Sequence, residues 1–332
     1  MEQDPILILA PPDDGHARAV ATALKQDYGK PAFIWDVSGF PSSDGLSFVP
    51  TEGGANCHLK FSDGRRLQLE SLRSIWWRRV SYYWIDPKVT DSNIRRFCLN
   101  ECEALFRGTL ASLAVPIVNH VEAEKSANHK PTQLSVAAKL GLRIPKTLMS
   151  NDAEEISAFW DGVGQHCIYK AFTPPTGRIA ETRRLTSGDF KDMDKIRLAP
   201  IIVQEMIDKK KDIRVTILGT QVFAAEVTTT HPEADLDWRL DMAATWSEHV
   251  LPNDISGKLI QLVRVLGLHY GCIDLRQEPG GEYVFFEVNP SGQFLFVEVD
   301  TGQPLLRAMA ELLLSPQTVE FSLPASISSA RN

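Results

Sequence analysis

The chain contains 332 residues, of which 43% are hydrophobic and 23% are charged, and its formal net charge at pH 7 is −7. A chain of this length is expected to form two or three compact units with a large core, and the ordinary composition excludes disordered and fibrous proteins. The acidic balance argues against a nucleic-acid-binding protein that relies on a broad basic surface.

Neither membrane insertion nor disulfide formation is indicated by the sequence. No apolar run is long enough to span a bilayer, and the first four residues lack the basic region of a signal peptide, so we expect a cytoplasmic protein without a membrane partner. The cysteines are scattered and lie mostly in apolar segments, which favours reduced core thiols over a disulfide framework. They are Cys57, Cys98, Cys102, Cys167 and Cys272.

The chain begins with the pattern of a βαβ unit. Residues 6–9 predict a strand, residues 16–28 a helix with one apolar face, and residues 32–37 a second strand. The loop after the first strand contains the single glycine Gly15 instead of a G-x-G-x-x-G array. A dinucleotide site is therefore not supported there.

A polar hairpin-like region (38–69), a long helix (91–114) and a closing strand (115–119) complete the N-terminal part. Between them, arginines and aromatic residues are interleaved from Trp76 to Trp84. Two interpretations stay open at this point: the segment stacks on a peptide or nucleotide, or the aromatic residues cover the sheet while the arginines pair with acids.

Two lysines mark the next part of the chain, which begins near residue 122. Lys130 stands at the start of a predicted helix, and Lys170 ends an apolar strand-like run. Lysines from separate elements can reach one phosphate chain as point charges. The alternative is that Lys130 is a solvated surface cation.

A strand predicted at 200–207 turns polar at its end and is followed by an antiparallel pair, 212–219 and 221–227. The edge formed by Gln204, Glu205, Met206 and Ile207 can pair its backbone with an adenine, and the Asp212 carboxylate can bind ribose hydroxyls. Alternatively, Gln204 and Glu205 are surface residues of a hinge.

A hairpin near the C-terminus concentrates polar residues on otherwise apolar strands. The runs that begin at Gly271 and Glu282 are joined by a turn with two successive glycines. Asp274, Glu287 and Asn289 offer the oxygen ligands that Mg²⁺ prefers, so the hairpin predicts a magnesium site. The alternative is a salt bridge from Arg276 to one of the two carboxylates on a solvated face. A helix at 256–266 precedes the hairpin, and an amphipathic helix at 304–314 follows it.

Six separated elements resemble the ATP-grasp superfamily over residues 119–314: Lys130, Lys170, Gln204-Glu205, Asp212-x-Arg214, Asp274-x-Arg276 and Glu287-x-Asn289-Pro290. Further motifs resemble the microviridin-type graspetide synthetases, which install ω-ester or ω-amide crosslinks in ribosomal precursor peptides. These motifs are Trp76-Trp77-Arg78-Arg79, Lys130-Pro131-x-Gln133-Leu134, Asp237-Trp238-Arg239 and Asn289-Pro290-x-Gly292-Gln293 through Thr301-Gly302.

The resemblance implies an α/β fold that is α+β in part. It would comprise an N-terminal pre-ATP-grasp βαβ domain (1–120), a central small α+β subdomain (121–207) and a C-terminal ATP-grasp subdomain with the hairpin (208–320). A disordered tail (321–332) would follow. The loop after Lys170 differs from the glycine-rich phosphate loop of many ATP-grasp enzymes.

The resemblance also implies a set of site residues. Lys130 and Lys170 would contact the ATP phosphates, Gln204 through Ile207 the adenine, and Asp212 the ribose. Magnesium would be held by Asp274, Glu287 and Asn289. Phosphoryl transfer and the tetrahedral intermediate would be stabilised by Arg214, Arg239 and Arg276. No side chain is assigned as a general base.

The implied function is ATP-dependent peptide macrocyclisation. An Asp or Glu side chain of the precursor would be activated as an acyl phosphate and attacked by a Thr or Ser hydroxyl or a Lys amine of the same peptide. The alternatives are a ligase that adds a free amino acid to a carboxylate and a binding module without turnover. The implied partners are a leader-plus-core peptide and a second copy in a homodimer.

Overall fold

The computed structural model describes residues 4–173, 182–231, 234, 236–241 and 243–316. The predicted disordered tail and most of the loop after Lys170 lie outside these residues. None of the helices within the described ranges combines the length and the apolar character that a membrane span requires.

The N-terminal part is built around a parallel four-stranded sheet with the order β2-β1-β6-β7. Its strands are β1 (Ile6–Leu9), β2 (Ala32–Trp35), β6 (Ser74–Trp77) and β7 (Ile117–Val118), and its helices are α1 (Gly15–Tyr28) and α2 (Ser92–Ser112). Alternate residues of β1 pack in two different cores, one with α1 and one with α2. This explains why the strand is an uninterrupted apolar run.

The predicted hairpin-like region forms an antiparallel three-stranded sheet. It consists of β3 (Gly45–Thr51), β4 (Gly54–Lys60) and β5 (Arg66–Gln68). The βαβ unit, the long helix and the closing strand predicted for this part are confirmed, although the closing strand is confined to two residues.

A second, antiparallel four-stranded sheet has the order β10-β9-β11-β8. Its strands are β8 (Thr147–Ser150), β9 (Cys167–Lys170), β10 (Arg183–Arg184) and β11 (Ile201–Glu205), and the accompanying helices are α3 (Val121–Ala127), α4 (Lys130–Lys139) and α5 (Ala153–Gly162). A 3₁₀-helical segment, Asp189–Leu198, packs beside α5. The predicted helix after Lys130 is confirmed.

A five-stranded antiparallel sheet with the order β14-β13-β12-β15-β16 forms the remaining part. Its strands are β12 (Lys211–Leu218), β13 (Gln221–Thr228), β14 (Thr245–Glu248), β15 (Tyr270–Gln277) and β16 (Tyr283–Asn289). The helices are α6 (Asn253–Val265), α7 (Leu295–Thr301) and α8 (Leu305–Leu314). Both predicted strand pairs are confirmed, while α6 begins earlier than predicted, directly after Pro252.

The β15–β16 pair contains a bulge that the sequence pattern does not reveal. Asp274 pairs with Glu287, but the next residue, Leu275, pairs with Phe285, so Phe286 is the extra residue. As a result, Phe286 and Glu287 both line the same cavity, although they are neighbours in the chain. Phe285 is 0% exposed and packs in the core on the other face.

Candidate active site

A cavity of about 260 Å³ lies between the second four-stranded sheet and the five-stranded sheet. It is lined by both apolar and charged side chains. The charged residues include Lys130, Lys170, Asp212, Asp237, Arg239, Asp274, Arg276 and Glu287. The structure therefore brings most of the predicted site residues together, from elements that are far apart in the chain.

The two predicted metal-binding carboxylates face each other across β15 and β16. Asp274 and Glu287 are a register pair, and both line the cavity. Burial and the charge of Glu287 raise the pKa of Asp274, although the Arg214 guanidinium acts against this shift. Asn289 is exposed at the end of β16 and is not among the described residues that line the cavity; its Oδ1 accepts a hydrogen bond from the Ser291 amide at 3.0 Å.

The two predicted phosphate-binding lysines lie beside Glu287. The Nζ atom of Lys130 is 2.5 Å from Glu287 Oε2, and Lys170 is near enough to influence the same carboxylate. Burial alone would raise the pKa of Glu287, but these two ammonium groups lower it to about 2. Burial lowers the pKa of Lys170. The surface-cation interpretation of Lys130 is wrong, since Lys130 lines the cavity.

Asp212 and Arg276 form a buried ion pair at the wall of the cavity. Arg276 Nε is 2.7 Å from Asp212 Oδ1, and its Nη1 atom donates to the carbonyl oxygen of Ile207 at 3.1 Å. The guanidinium also lies over the ring of Phe286, at 5.4 Å from the ring centroid. The alternative of a salt bridge between Arg276 and Asp274 or Glu287 is thus wrong, because the partner is on the neighbouring strand β12.

The predicted adenine-binding segment forms an edge of the same cavity. Gln204, Glu205, Met206 and Ile207 all line it, together with the apolar side chains of Ile168, Ile202 and Phe286. The Gln204 side chain donates to Thr147 Oγ1 at 2.9 Å, and Glu205 Oε1 accepts from the Lys146 amide at 3.0 Å. Each side chain therefore has one polar atom bonded within the protein.

The three predicted catalytic arginines occupy different positions. Arg239 lines the cavity and is held by Asp237, with Nε 2.7 Å from Oδ1. Arg276 lines the cavity as part of its buried pair. Arg214 is buried and is not among the described lining residues; its Nη1 is 2.8 Å from Asp274 Oδ1 and its Nη2 is 3.4 Å from the carbonyl oxygen of Gln293.

The segment from Trp76 to Trp84 agrees with the pairing interpretation in its first half and leaves aromatic side chains exposed in its second half. Trp76 is 0% exposed and Arg78 is 1% exposed, and Arg78 is 3.4 Å from the Asp14 carboxylate, as the pairing interpretation predicts. Tyr82 and Trp84, in contrast, are 96% and 59% exposed. The first half of the segment is therefore structural, and only the second half presents aromatic surface.

Several polar residues that contact the site region were not singled out by sequence reasoning. Asn119 uses its whole carboxamide: its Nδ2 atom donates to the carbonyl oxygens of Tyr270 and Pro290, and its Oδ1 atom accepts from two successive amides. His16 and Glu124 contact the segment that follows β16. Each of these contacts joins residues more than a hundred positions apart, so no local spacing signals it.

Glu124 is a buried carboxyl group beside the Ser291 hydroxyl, which donates to its Oε1 atom at 2.7 Å. Burial raises the pKa of Glu124 to about 7, although the Ser291 hydrogen bond and the charge of Arg78 act in the opposite direction. The folded protein therefore binds this proton more tightly than the unfolded chain does. The resulting stabilisation is present below the ordinary pKa and is lost as the pH rises through about 7.

We expect Glu124→Gln to remove the loss of stability that the wild type shows as the pH rises through about 7, because the variant keeps a neutral side chain at every pH. Relative to the wild type, its free energy of unfolding should increase by about 1–3 kcal/mol between pH about 5 and pH about 8. Urea unfolding at both pH values measures the difference. Glu122→Gln on the same helix is the control, and an identical pH dependence in both variants would contradict the expectation.

The donor set of the cavity fits a magnesium–nucleotide complex. Two carboxylates provide the hard oxygen ligands that Mg²⁺ takes, two lysines provide cations for a phosphate chain, and the apolar side chains of the lining suit a flat base. Asp274 and Glu287 each already contact one protein cation, Arg214 and Lys130 respectively, and the second oxygen of each carboxylate could serve as a ligand to Mg²⁺.

Comparison with known families agrees with this geometry. Residues 6–125 match the MvdD pre-ATP grasp domain, and residues 127–313 match the RimK-like ATP-grasp domain. The chain belongs to the RimK-like ATP-grasp family. It is thus an ATP-grasp ligase, and the fold class and the superfamily predicted from the sequence are confirmed.

Solved structures of other ATP-grasp enzymes are similar over almost the whole chain. The macrocyclase MdnC from Microcystis aeruginosa MRC, solved with its precursor peptide MdnA, is 30% identical, with a TM-score of 0.82 and coverage of 93% of this chain and 98% of that one. The macrocyclase MdnB from the same source is 25% identical, with a TM-score of 0.79 and the same coverage. The resemblance to the microviridin-type enzymes is therefore confirmed.

A further ATP-grasp ligase supports the fold alone. The RiPP-associated enzyme from Chryseobacterium gregarium, solved with ADP and a leader and core peptide, is 23% identical, with a TM-score of 0.85 and coverage of 95% of this chain and 98% of that one.

Proposed function

We propose that this ATP-grasp ligase is a peptide macrocyclase, which joins Asp or Glu side chains of a ribosomal precursor peptide to Thr or Ser hydroxyls or Lys amines of the same peptide. The proposal is carried by the placement of Asp274, Glu287, Lys130 and Lys170 in one cavity, in a chain that is similar over 93% of its length to a macrocyclase. ATP and Mg²⁺ are the proposed cosubstrate and metal.

The proposed reaction has two steps. A carboxylate oxygen of the peptide attacks the γ-phosphorus of ATP, the bond to the ADP oxygen breaks, and an acyl phosphate forms on the peptide. A hydroxyl or amine of the same peptide then attacks the acyl carbon and displaces phosphate, and its proton is released to solvent. The attack is intramolecular, so it benefits from effective molarities on the order of 10⁵ M or more.

Each group in the cavity has a proposed task. Lys130 and Lys170 bind and orient the phosphate chain, the segment from Gln204 to Ile207 contacts the adenine, and Asp212 contacts the ribose. Magnesium would be held by Asp274 and Glu287, with Asn289 at the adjoining strand end, and would neutralise charge on the phosphates.

The arginines act at different distances from the transferring group. Arg239 and Arg276 line the cavity and contribute positive charge, whereas Arg214 acts through Asp274 as a positioning residue. Because both ATP and newly translated peptides are available in the cytoplasm, we expect the reaction to occur there.

Mass spectrometry of the reaction with ATP, Mg²⁺ and a candidate precursor peptide tests the function. We expect the peptide to lose the mass of one water for each crosslink, with one ADP and one phosphate released for each. A gain in mass equal to an added amino acid would instead identify a ligase of the glutamate-adding type. Nucleotide binding without ADP release would identify a binding module.

We also propose a homodimer that associates through α2. Ile94, Phe97 and Leu105 lie on one side of this helix and are 56%, 62% and 37% exposed. An apolar stripe on a helix of 21 residues suits an isologous contact with the same helix of a second copy.

Light scattering tests the dimer. We expect Phe97→Asp to raise the dimer dissociation constant by about a hundredfold or more, because it places a charge at the centre of the contact. Leu198→Asp, at another exposed apolar position, should leave the dimer intact. A wild-type monomer, or a dimer that tolerates Phe97→Asp, would refute the proposed contact.

A further inference from the structure

The loop that connects β16 to α7, taken together with the first residue of that helix, runs from Pro290 to Leu295 and directly follows the hairpin proposed to bind Mg²⁺. Four successive carbonyl oxygens in this loop accept hydrogen bonds from side chains of distant segments. Asn119 Nδ2 donates to the carbonyl oxygen of Pro290 at 2.8 Å, and Arg214 Nη2 donates to that of Gln293 at 3.4 Å. Between them, Arg78 Nη1 donates to the carbonyl oxygens of Ser291 at 2.5 Å and Gly292 at 3.2 Å. The backbone of the loop is therefore fixed from outside.

His16 fixes the other end of the loop. Its Nε2 atom accepts hydrogen bonds from the amides of Phe294 and Leu295, at 2.9 and 3.1 Å. An imidazole can accept only when that nitrogen is unprotonated. Burial, together with the charge of Arg78, lowers the pKa of His16 to about 4, so the ring stays an acceptor near neutral pH.

The loop also lies in close contact with β15 beneath it. A Cβ atom on Gly292 would stand 2.4 Å from Cys272 Cβ and 2.8 Å from Arg214 Nη2. Because any side chain at this position would collide with β15, only glycine allows the loop to pack this closely against the strand.

Gln293 differs from both of its neighbours. Gly292 and Phe294 are buried, whereas the Gln293 side chain is exposed. Its carbonyl oxygen shares the guanidinium of Arg214 with Asp274, so the residue stands beside the metal-binding carboxylates. A carboxamide carries both a donor and an acceptor, which matches the two hydrogen-bonding groups of a peptide unit.

Burying the Arg78 guanidinium against the loop is electrostatically costly. Arg78 is 1% exposed, and among the described residues its Nη2 atom has no hydrogen-bond partner. Burying a cation in this way stabilises less than apolar packing of the same volume would. The hydrogen bonds from Arg78 to the loop are therefore better explained by the need to fix the position of the loop than by a gain in stability.

We propose that Gln293 contacts the backbone of the core peptide next to the reacting Asp or Glu, and that Arg78 and His16 are positioning residues that hold it there. This inference rests on the proposed macrocyclase function. Through His16 and Arg78, the N-terminal part of the chain would then help to select which carboxylate of the peptide is activated.

Steady-state kinetics and product analysis of Gln293→Ala and Arg78→Lys test the inference. For both variants we expect the KM for the precursor to rise about tenfold, the KM for ATP to stay at the wild-type value, and partially crosslinked peptides to accumulate. The controls are Val299→Ala on α7 and Arg79→Lys, the half-exposed neighbour of Arg78. Both controls should match the wild type.

The His16 position provides an independent comparison should Arg78→Lys fail to fold. His16→Gln keeps an acceptor and should retain the wild-type product pattern, whereas His16→Leu should reproduce the Gln293→Ala pattern. Wild-type precursor KM and products in Gln293→Ala would overturn the inference, as would a parallel rise in the KM for ATP. Absence of crosslinks with the wild-type enzyme would instead refute the proposed function.

Discussion

Glu287→Gln and Asp274→Asn are expected to reduce kcat by about a thousandfold each, the largest loss of activity predicted for any single change in this chain. Each substitution removes one of the two carboxylates that face each other across β15 and β16 and that would hold Mg²⁺. An amide retains the shape of the side chain but not its charge. We therefore expect the apparent KM for Mg²⁺ to rise as well, with partial recovery of turnover at high Mg²⁺.

ADP release at a series of Mg²⁺ concentrations measures both effects. Glu282→Gln is the matched control, because this carboxylate belongs to the same hairpin but its side chain is 70% exposed and it lies outside the cavity lining. Thermal unfolding of each variant separates a lost ligand from a lost fold. Wild-type turnover in either cavity variant would refute the assignment of the metal site.

Arg276→Met is expected to lower the free energy of unfolding by about 3–5 kcal/mol, since it leaves the Asp212 carboxylate in the protein interior without its closest partner. Asp212 is 6% exposed, and its next cation, Lys209 Nζ, is 3.5 Å away. The same variant should bind ATP more weakly, because both residues line the cavity.

A double variant distinguishes loss of pairing from loss of packing. Arg276→Met with Asp212→Leu removes both charges of the buried pair, so we expect much of the stability to return while ATP affinity stays low. Arg307→Met, which breaks an exposed pair on α8, should change the urea midpoint little. If the double variant is no more stable than Arg276→Met, the pairing explanation is wrong.

The cavity was largely predictable because its residues occur as short motifs on regular strands. Asp274 and Arg276 point to one face by alternation, and Lys130 and Lys170 end or begin elements whose apolar pattern is clear. Which charges pair was not predictable. Arg276 forms an ion pair with Asp212, and Arg214 forms one with Asp274, because β12 and β15 are neighbours in the sheet. The sequence pattern does not show which strands are neighbours.

The contacts around the Pro290–Leu295 loop were beyond sequence reasoning for a related reason. His16 lies in the first turn of α1 and Asn119 directly follows β7, and each looks like an ordinary polar residue at the boundary of an element. Their significance depends on packing between segments more than a hundred positions apart. Hydrophobic periodicity reports which face is buried but not which polar groups meet there.

The bulge at Phe286 has a consequence for comparing this chain with its relatives. Since one strand has a residue more than its partner, a single-residue deletion at that point would restore regular pairing and leave Ile273, Asp274 and Val288 where they are. The contact between the Phe286 ring and the Arg276 guanidinium would then be lost, while the carboxylates proposed to bind Mg²⁺ stayed in place. A one-residue gap between positions 285 and 287 in a related sequence would thus indicate a regular β15–β16 pair and a cavity without the Phe286 side chain, not a misaligned strand.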